Sequence, residues 1–415
     1  MVVLSLSISN DVIHAESTNG STSNYSKTFG SPDTVENQIE TDRKVVESLF
    51  DLNFTESIAE YKTNINEKYG VSFGFDYSYV YSHANESLPG VEDDAASGMV
   101  RFFGAWDLIG LDTGNTGALV WKGEHRHRTK DIPPKDLSFE TGYVGIMNAP
   151  FNNDEFRLTN LYWRQRIQEP RITLTGGFLD VTDYVDAFAL GSPWLHFNNL
   201  VFSTGSATID LPNDATLGVS AGAMLSENVY LIGGITNANS DPTDPLEGFD
   251  TFDEGEYFKS IELGWTSSAD RIILDNVHLT YWHIDERDET NTPDGWGLNF
   301  STSYFITDTW MPFIRGGYTE DSGSLLESSV SLGVGYQPEE QRNQNLLGFA
   351  VNWGEPNEES FGSGLDDQYT FELFYRLQIT KEIAITPDIQ YVIDPALNPD
   401  KSSIWYFGLR SRIAL

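Results

Sequence analysis

From Tyr69 to Leu415 the chain repeats one pattern, short runs in which apolar and polar residues alternate with period two. In the first run Tyr69, Val71, Phe73, Phe75, Tyr77, Tyr79 and Tyr81 fall on one side, and Gly70, Ser72, Gly74, Asp76, Ser78 and Ser82 on the other. Such alternation is the mark of a strand whose two faces meet different surroundings. Comparable runs recur near 98–111, 116–128, 156–167, 171–181, 215–226, 229–236, 257–268 and 271–284. They continue near 295–306, 309–318, 327–337, 344–354, 367–380, 382–393 and 403–415, which makes 16 in all, mostly as long as a tilted strand needs to cross a bilayer. The connections alternate too: "ANESLPGVEDDAAS" is long, "DTGN" short, 129–155 long, "QEP" short, 182–214 long, "EN" short. A soluble sandwich has no cause to alternate in this way. A membrane barrel does, with short turns on its inner side and long loops outside. The expected fold is therefore all-β, a transmembrane antiparallel β-barrel of about 16 strands. Counting "LSFETGYVGI" and "LVFSTGSATIDL" as further strands would give 18.

Composition narrows the partners. The chain of 415 residues carries 62 acidic against 25 basic residues, a formal net charge of −37, and has no stripe of Lys and Arg to grip phosphates, so nucleic acid is excluded. It has no cysteine, hence neither disulfides nor thiolate metal sites. No apolar run approaches the length of a membrane-spanning helix. Residues 1–15 read as the remnant of an export signal and 16–68 as a flexible tail followed by a helical segment of one or two helices. Residues 69–415 read as the barrel.

In an aqueous barrel the apolar face meets lipid and the polar face lines the lumen. In "YTFELFYRLQI", Tyr369, Phe371, Leu373, Tyr375, Leu377 and Ile379 are expected outside, and Thr370, Glu372, Phe374, Arg376 and Gln378 in a wet lumen. In the last strand Arg410 and Arg412 point in. Tyr281, Trp296, Tyr304, Trp310, Tyr318 and Tyr336, near strand ends, suit interfacial girdles. The same parity splits "VWKGEHRHR", which at first sight offers a metal site. His125 and His127 continue the outer face, while Lys122, Glu124, Arg126 and Arg128 line the lumen. Two imidazoles without a third ligand make a weak metal site, so no metal, cofactor or catalytic residue is expected. Basic residues thus concentrate in the lumen of an acidic chain. Loop 182–214 is too long and too apolar for an ordinary exposed connection and is expected to fold inward and narrow the pore. The candidate pore and substrate-binding residues are Arg101, Glu124, Arg126, Arg128, Arg164, Arg166, Trp194, Asn198, Trp282 and Arg315, with Phe197 and Asn199 beside them.

Three stretches, "EHRHR", "GGFLDVTDYVDAFAL" and "TPDIQYVIDPALNPDKSSIWYFGLRSRIAL", carry a resemblance to the carbohydrate-selective porins of Gram-negative outer membranes, the OprB type. The resemblance spans most of the chain beyond residue 69. It implies a monomeric 16-stranded barrel that passes monosaccharides by diffusion through a lumen narrowed by charged and aromatic residues. The acidic loops and the terminal Leu415 depart from the family pattern. Small sugars as permeating solutes, with outer-membrane lipids and lipopolysaccharide around the barrel, are the partners implied. A general or cation-preferring porin is the alternative within transport, and an outer-membrane barrel enzyme or adhesin the alternative outside it.

Overall fold

The computed structural model describes residues 29–44, 48–50, 55–111, 113–168, 171–288, 290–307, 309–337 and 345–415. The export-signal remnant and most of the tail lie outside the described residues. Two helices precede the barrel, α1 (Val35–Arg43) and α2 (Glu56–Tyr69). The strands that follow are β1 (Val71–Ala84), β2 (Asp94–Ile109), β3 (Gly117–Arg128), β4 (Glu155–Ile167), β5 (Ile172–Leu179), β6 (Thr216–Met224), β7 (Val229–Asn237) and β8 (Tyr257–Thr266). The second half comprises β9 (Asn276–Ile284), β10 (Gly295–Ser303), β11 (Trp310–Glu320), β12 (Leu326–Tyr336), β13 (Leu346–Pro356), β14 (Gln368–Gln378), β15 (Ile383–Ile393) and β16 (Ser403–Ala414).

Each strand pairs antiparallel with its neighbours in sequence, and β1 pairs with β16, from Asp76 opposite Ala414 to Ala84 opposite Tyr406, so the sheet closes. Closure removes the unpaired edges that hydrocarbon would not tolerate. No helix among the described residues is long and apolar enough to cross a membrane; the strands do the crossing.

Outward positions carry Phe102, Leu263, Leu279, Ile314, Leu332, Leu373 and Leu409, all exposed. The aromatic girdles form at both rims. Tyr281, Trp296 and Tyr318 lie together at the loop end, with ring centroids 6.2 and 6.3 Å apart, and Trp310 packs on Tyr336 at the turn end at 4.3 Å.

The two stretches that would have raised the count to 18 are not strands. "LSFET" forms a short helix, α3 (Leu137–Thr141), closed by Gly142 at φ 83°, a left-handed value that suits glycine. Residues 200–207 form 3₁₀ turns. The strand expected from residue 271 begins at Asn276 instead. Ahead of it Arg271 donates to Asp275 across a 3₁₀ turn, Nε to Oδ2 2.5 Å.

Replacing Leu279, at the middle of the lipid-facing side of β9, by Arg should cost about 2–4 kcal/mol of folding stability, the penalty for a cation at the bilayer midplane. Denaturant unfolding of the barrel reconstituted in liposomes measures it.

Candidate functional site: the occupied lumen

The inward polar residues do not face open water. The connection from β5 to β6, residues 180–215, turns into the barrel and fills the side bounded by β11 to β14. Its Phe197 packs edge-on against inward Phe374 at 4.9 Å and against Phe313 at 5.8 Å, with Phe202 at 5.2 Å. Burying such a ring contributes roughly 1.5–3 kcal/mol. The lumen expected to be wet beside β14 is therefore filled, and Phe374 belongs to a core.

Polar wall residues on β12, β14 and β16 bind the loop backbone, whose buried amides and carbonyls must each find a partner. Glu372 accepts from Asn198 N at 2.6 Å and Asn199 N at 3.0 Å. Arg410 donates to the His196 carbonyl at 2.8 Å and also to Pro193 O and Asn198 Oδ1. Arg376 donates to Leu195 O at 3.2 Å, and Ser331 to Val201 O at 2.7 Å. The central latch is Asp186. Its carboxylate meets the Arg315 guanidinium, sits 2.7 Å from His278 Nε2, and accepts from Gly205 N at 2.6 Å. Gly205 holds φ 67°, and a Cβ there would lie 2.4 Å from Ile209. Arg315 lies over the Phe188 ring, 3.9 Å from its centroid. On the next strands Glu262 accepts from Asp186 N at 2.9 Å, Thr280 at 2.8 Å and Tyr230 at 3.0 Å.

The opposite side keeps a cavity of about 340 Å³ between β3 and β4, the β3–β4 connection and the in-folded loop. Trp194 and Phe188 line it together with Asp33, Asp180, Asp214, Arg126 and Lys135. Arg101 is held by Asp76, with Nε to Oδ1 2.9 Å, and its guanidinium covers the Trp194 ring at 4.3 Å. Arg126 bonds Glu124 at 2.7 Å and reaches Asp214 at 3.3 Å. Arg157 joins the same carboxylate at 2.5 Å. Burial, then the neighbouring carboxylates Asp214 and Asp183, push Asp180 up to about 8. Burial also raises Asp33, against the hydrogen bond from Ser192. Asp214 is only partly buried, and Arg157 and Arg126 outweigh that burial and hold it below the usual carboxylate range.

The candidate residues separate by place. Arg126 and Trp194 line the cavity, with Glu124 behind the first and Arg101 behind the second. Asn198 and Arg315 are fastened to the loop–wall contact. Trp282 is wholly buried, stacked on Phe258 with its N–H on Asn299 Oδ1 at 3.1 Å. Arg128 is exposed at the rim, donating to Asp131 O at 2.6 Å. Arg164 sits near the inner end of β4 with Asp107 at 3.1 Å and Glu36, and Arg166 lies further along the same strand. Glu124 faces Arg157 across the β3–β4 register, and Arg164 faces Ala118. Simple parity misses Arg157 because a bulge shifts the register between Lys122 and Gly123, which turns residue 157 inward. His125 and His127 are outward, His125 edge-on to Phe156 at 4.6 Å and His127 stacked on Tyr77 at 6.1 Å. Among the described residues no cluster of His, Cys, Asp and Glu could hold a metal ion.

A closed sixteen-stranded barrel with an apolar belt, aromatic girdles and an in-folded loop is an outer-membrane porin, a channel and not an enzyme. The family described as "Carbohydrate-selective porin, OprB family" matches residues 59–415, and the chain belongs to it. Porin AaxA of Chlamydia felis (strain Fe/C-56) is 29% identical over 123 residues, which are 29% of this chain and 27% of that protein. The match thus spans about a quarter of that relative's length. Among solved structures, the high-pH form of Pseudomonas putida OprB aligns with TM-score 0.69 at 13% identity, covering 89% of this chain and 99% of that one. Its low-pH form aligns with TM-score 0.51 at 12% identity, over 87% and 98%. At these identities the likeness concerns the fold.

Replacing Asp186 by Asn removes the counter-charge of a guanidinium that has no access to water. Losing one partner of such a buried pair costs about 3–5 kcal/mol, and a fall of that size is expected in denaturant unfolding. Asp180→Asn should leave stability near that of the parent at pH 6, where the carboxyl is already neutral.

Proposed function

We infer that the protein admits small neutral carbohydrates, monosaccharides in size, by passive diffusion through the side of the lumen left free by loop 180–215. The observation that carries this is the cavity itself. Its volume of about 340 Å³ lies at the small end of ligand sites. Its wall mixes aromatic faces, Trp194 and Phe188, with carboxylate acceptors and the guanidinium and ammonium donors of Arg126 and Lys135. A polyol needs this pairing: acceptors and donors within reach of each hydroxyl, and a flat apolar surface for the ring. Because Arg126 is already engaged by Glu124 and Asp214, it offers a solute only its remaining donor capacity, and the contacts stay weak enough for release. The closed barrel completes its own lumen, so a monomer is the working unit. The acidic outer loops would meet lipopolysaccharide through bridging divalent cations.

In planar bilayers, discrete channel steps blocked by monosaccharides more strongly than by disaccharides are expected. Steps insensitive to every sugar would remove the substrate and leave the channel. Trp194→Ala should weaken sugar block about tenfold, the usual loss for truncating a central aromatic contact. Deleting Pro193 to Thr204 should raise the conductance.

A cation-preferring pore is the second reading, favoured by Asp33, Asp180 and Asp214 on one cavity. Asp180, raised to about 8, is neutral below that pH and negative above it. Cation selectivity, read from reversal potentials in a salt gradient, should therefore rise between pH 6 and pH 9 by an amount that Asp180→Asn abolishes. If permeation were limited by the arginines instead, the reversal potential would stay flat across that range.

A further inference from the structure

The floor of the cavity is not barrel wall. It is Ser31, Pro32 and Asp33, and α1 continues from them across the inner half of the lumen. We propose that residues 30–44 are a plug that closes this pore from within and leaves toward the inner side when solute passes. The proposal rests on the pore reading above. The OprB-family match begins at residue 59, so family membership does not assign the segment a role.

The depth of the segment follows from its partners. Ser31 N donates to Asp183 O at 2.7 Å, and Ser192 Oγ to Asp33 Oδ1 at 2.6 Å, which ties the segment to the in-folded loop. Lys122, midway along β3, donates to Asp33 O at 3.1 Å. Glu36 meets Arg164 near the inner end of β4. Asp42 meets Arg412 near the inner end of β16, at 2.6 Å. A helix of nine residues is roughly 13 Å long, so these last two anchors stretch it from the β4 wall toward the β16 wall.

The wall is made for this cover. Phe103, Ala105, Val120 and Tyr162 point into the lumen from β2, β3 and β4, where an aqueous channel would show polar groups. Val35 and Ile39 of α1 bury them. An apolar patch on the wet side of a barrel is explained by a segment that covers it.

The charges, in contrast, allow departure. Arg164 holds Asp107 at 3.1 Å as well as Glu36, and Arg412 holds Asp76 at 2.7 Å as well as Asp42. When the plug leaves, each guanidinium keeps a carboxylate of the barrel, and Lys122, which gives up Asp33 O, keeps the field of Asp183, Asp180 and Glu124. Neither arginine thus becomes the unpaired buried charge that makes breaking such a pair costly. The released Glu36 and Asp42 go to water. The way out is marked as well: Phe50 N donates to Ile379 O at 2.9 Å at the inner turn between β14 and β15, only six residues beyond Lys44.

The test compares intact protein with a form lacking residues 30–44 in planar bilayers, after heat-modifiable gel mobility has shown both barrels folded. The deletion should raise single-channel conductance about threefold or more, as expected when a constriction is removed. Because the chain has no cysteine, the pair Asp33→Cys with Ser192→Cys supplies an independent reading should the deletion fail to fold. Under oxidant, which locks the segment in place, the pair should conduct less than the intact protein, and a reductant should return it to the intact level. Equal conductance of intact and deleted protein, or of the oxidised and reduced pair, overturns the plug and leaves the porin standing. Absence of steps in every form overturns the pore reading and the plug with it.

Discussion

One carboxylate, that of Asp186, decides how this barrel is filled. It sits where loop 180–215 meets the wall, and it takes up Arg315, His278 and the amide of Gly205 together. Without it the Gly205 amide would be a buried donor without an acceptor and the Arg315 guanidinium a buried cation without a counter-charge, and the cost of leaving such groups unmatched exceeds the gain from an average hydrogen bond. The loop's apolar rings could pack in several ways. The polar contacts, from Asp186, Glu372, Arg410 and Ser331, admit only one. Dispersion and burial thus press the loop into the lumen, and hydrogen bonding fixes its place.

The same division shapes the lumen. Along β11 to β14 the wall's inward rings meet the loop, and that half behaves as the core of a soluble domain. Along β2 to β4 the wall carries fixed charge, with Arg101, Arg126 and Arg157 each matched by carboxylates. The free space is therefore eccentric, and a solute crossing it meets one rigid ionic surface and one surface that is itself folded chain.

The barrel was legible in the sequence because lipid imposes a two-residue period on every strand and the two membrane sides impose different connection lengths. Both signals are local. The inward fold of the long connection was legible from its length and apolar content alone. Its fastening was not, since Asp186 and Arg315 lie 129 residues apart and nothing near either announces the other. Trp282 reads like any inward tryptophan until Phe258 and Asn299 are seen to enclose it. Arg157 was hidden by a bulge, a single extra residue that reverses the face of everything beyond it on that strand. Helix α1 was expected as a helix, but a period of about 3.6 does not tell which surroundings its apolar side will meet.

The seam between β1 and β16 sets the order in which such an object can be made. Asp76 pairs with Ala414, so no short hairpin helps this join, and the entropy of bringing its two edges together is that of nearly the whole chain. The other fifteen pairings can form from near neighbours. The ring can be completed only once the last dozen residues exist. Until then the sheet has two open edges, and whatever is to end up inside has free access from the side. Enclosure of the loop is thus a matter of timing: a container assembled around its contents needs no passage wide enough to admit them afterwards.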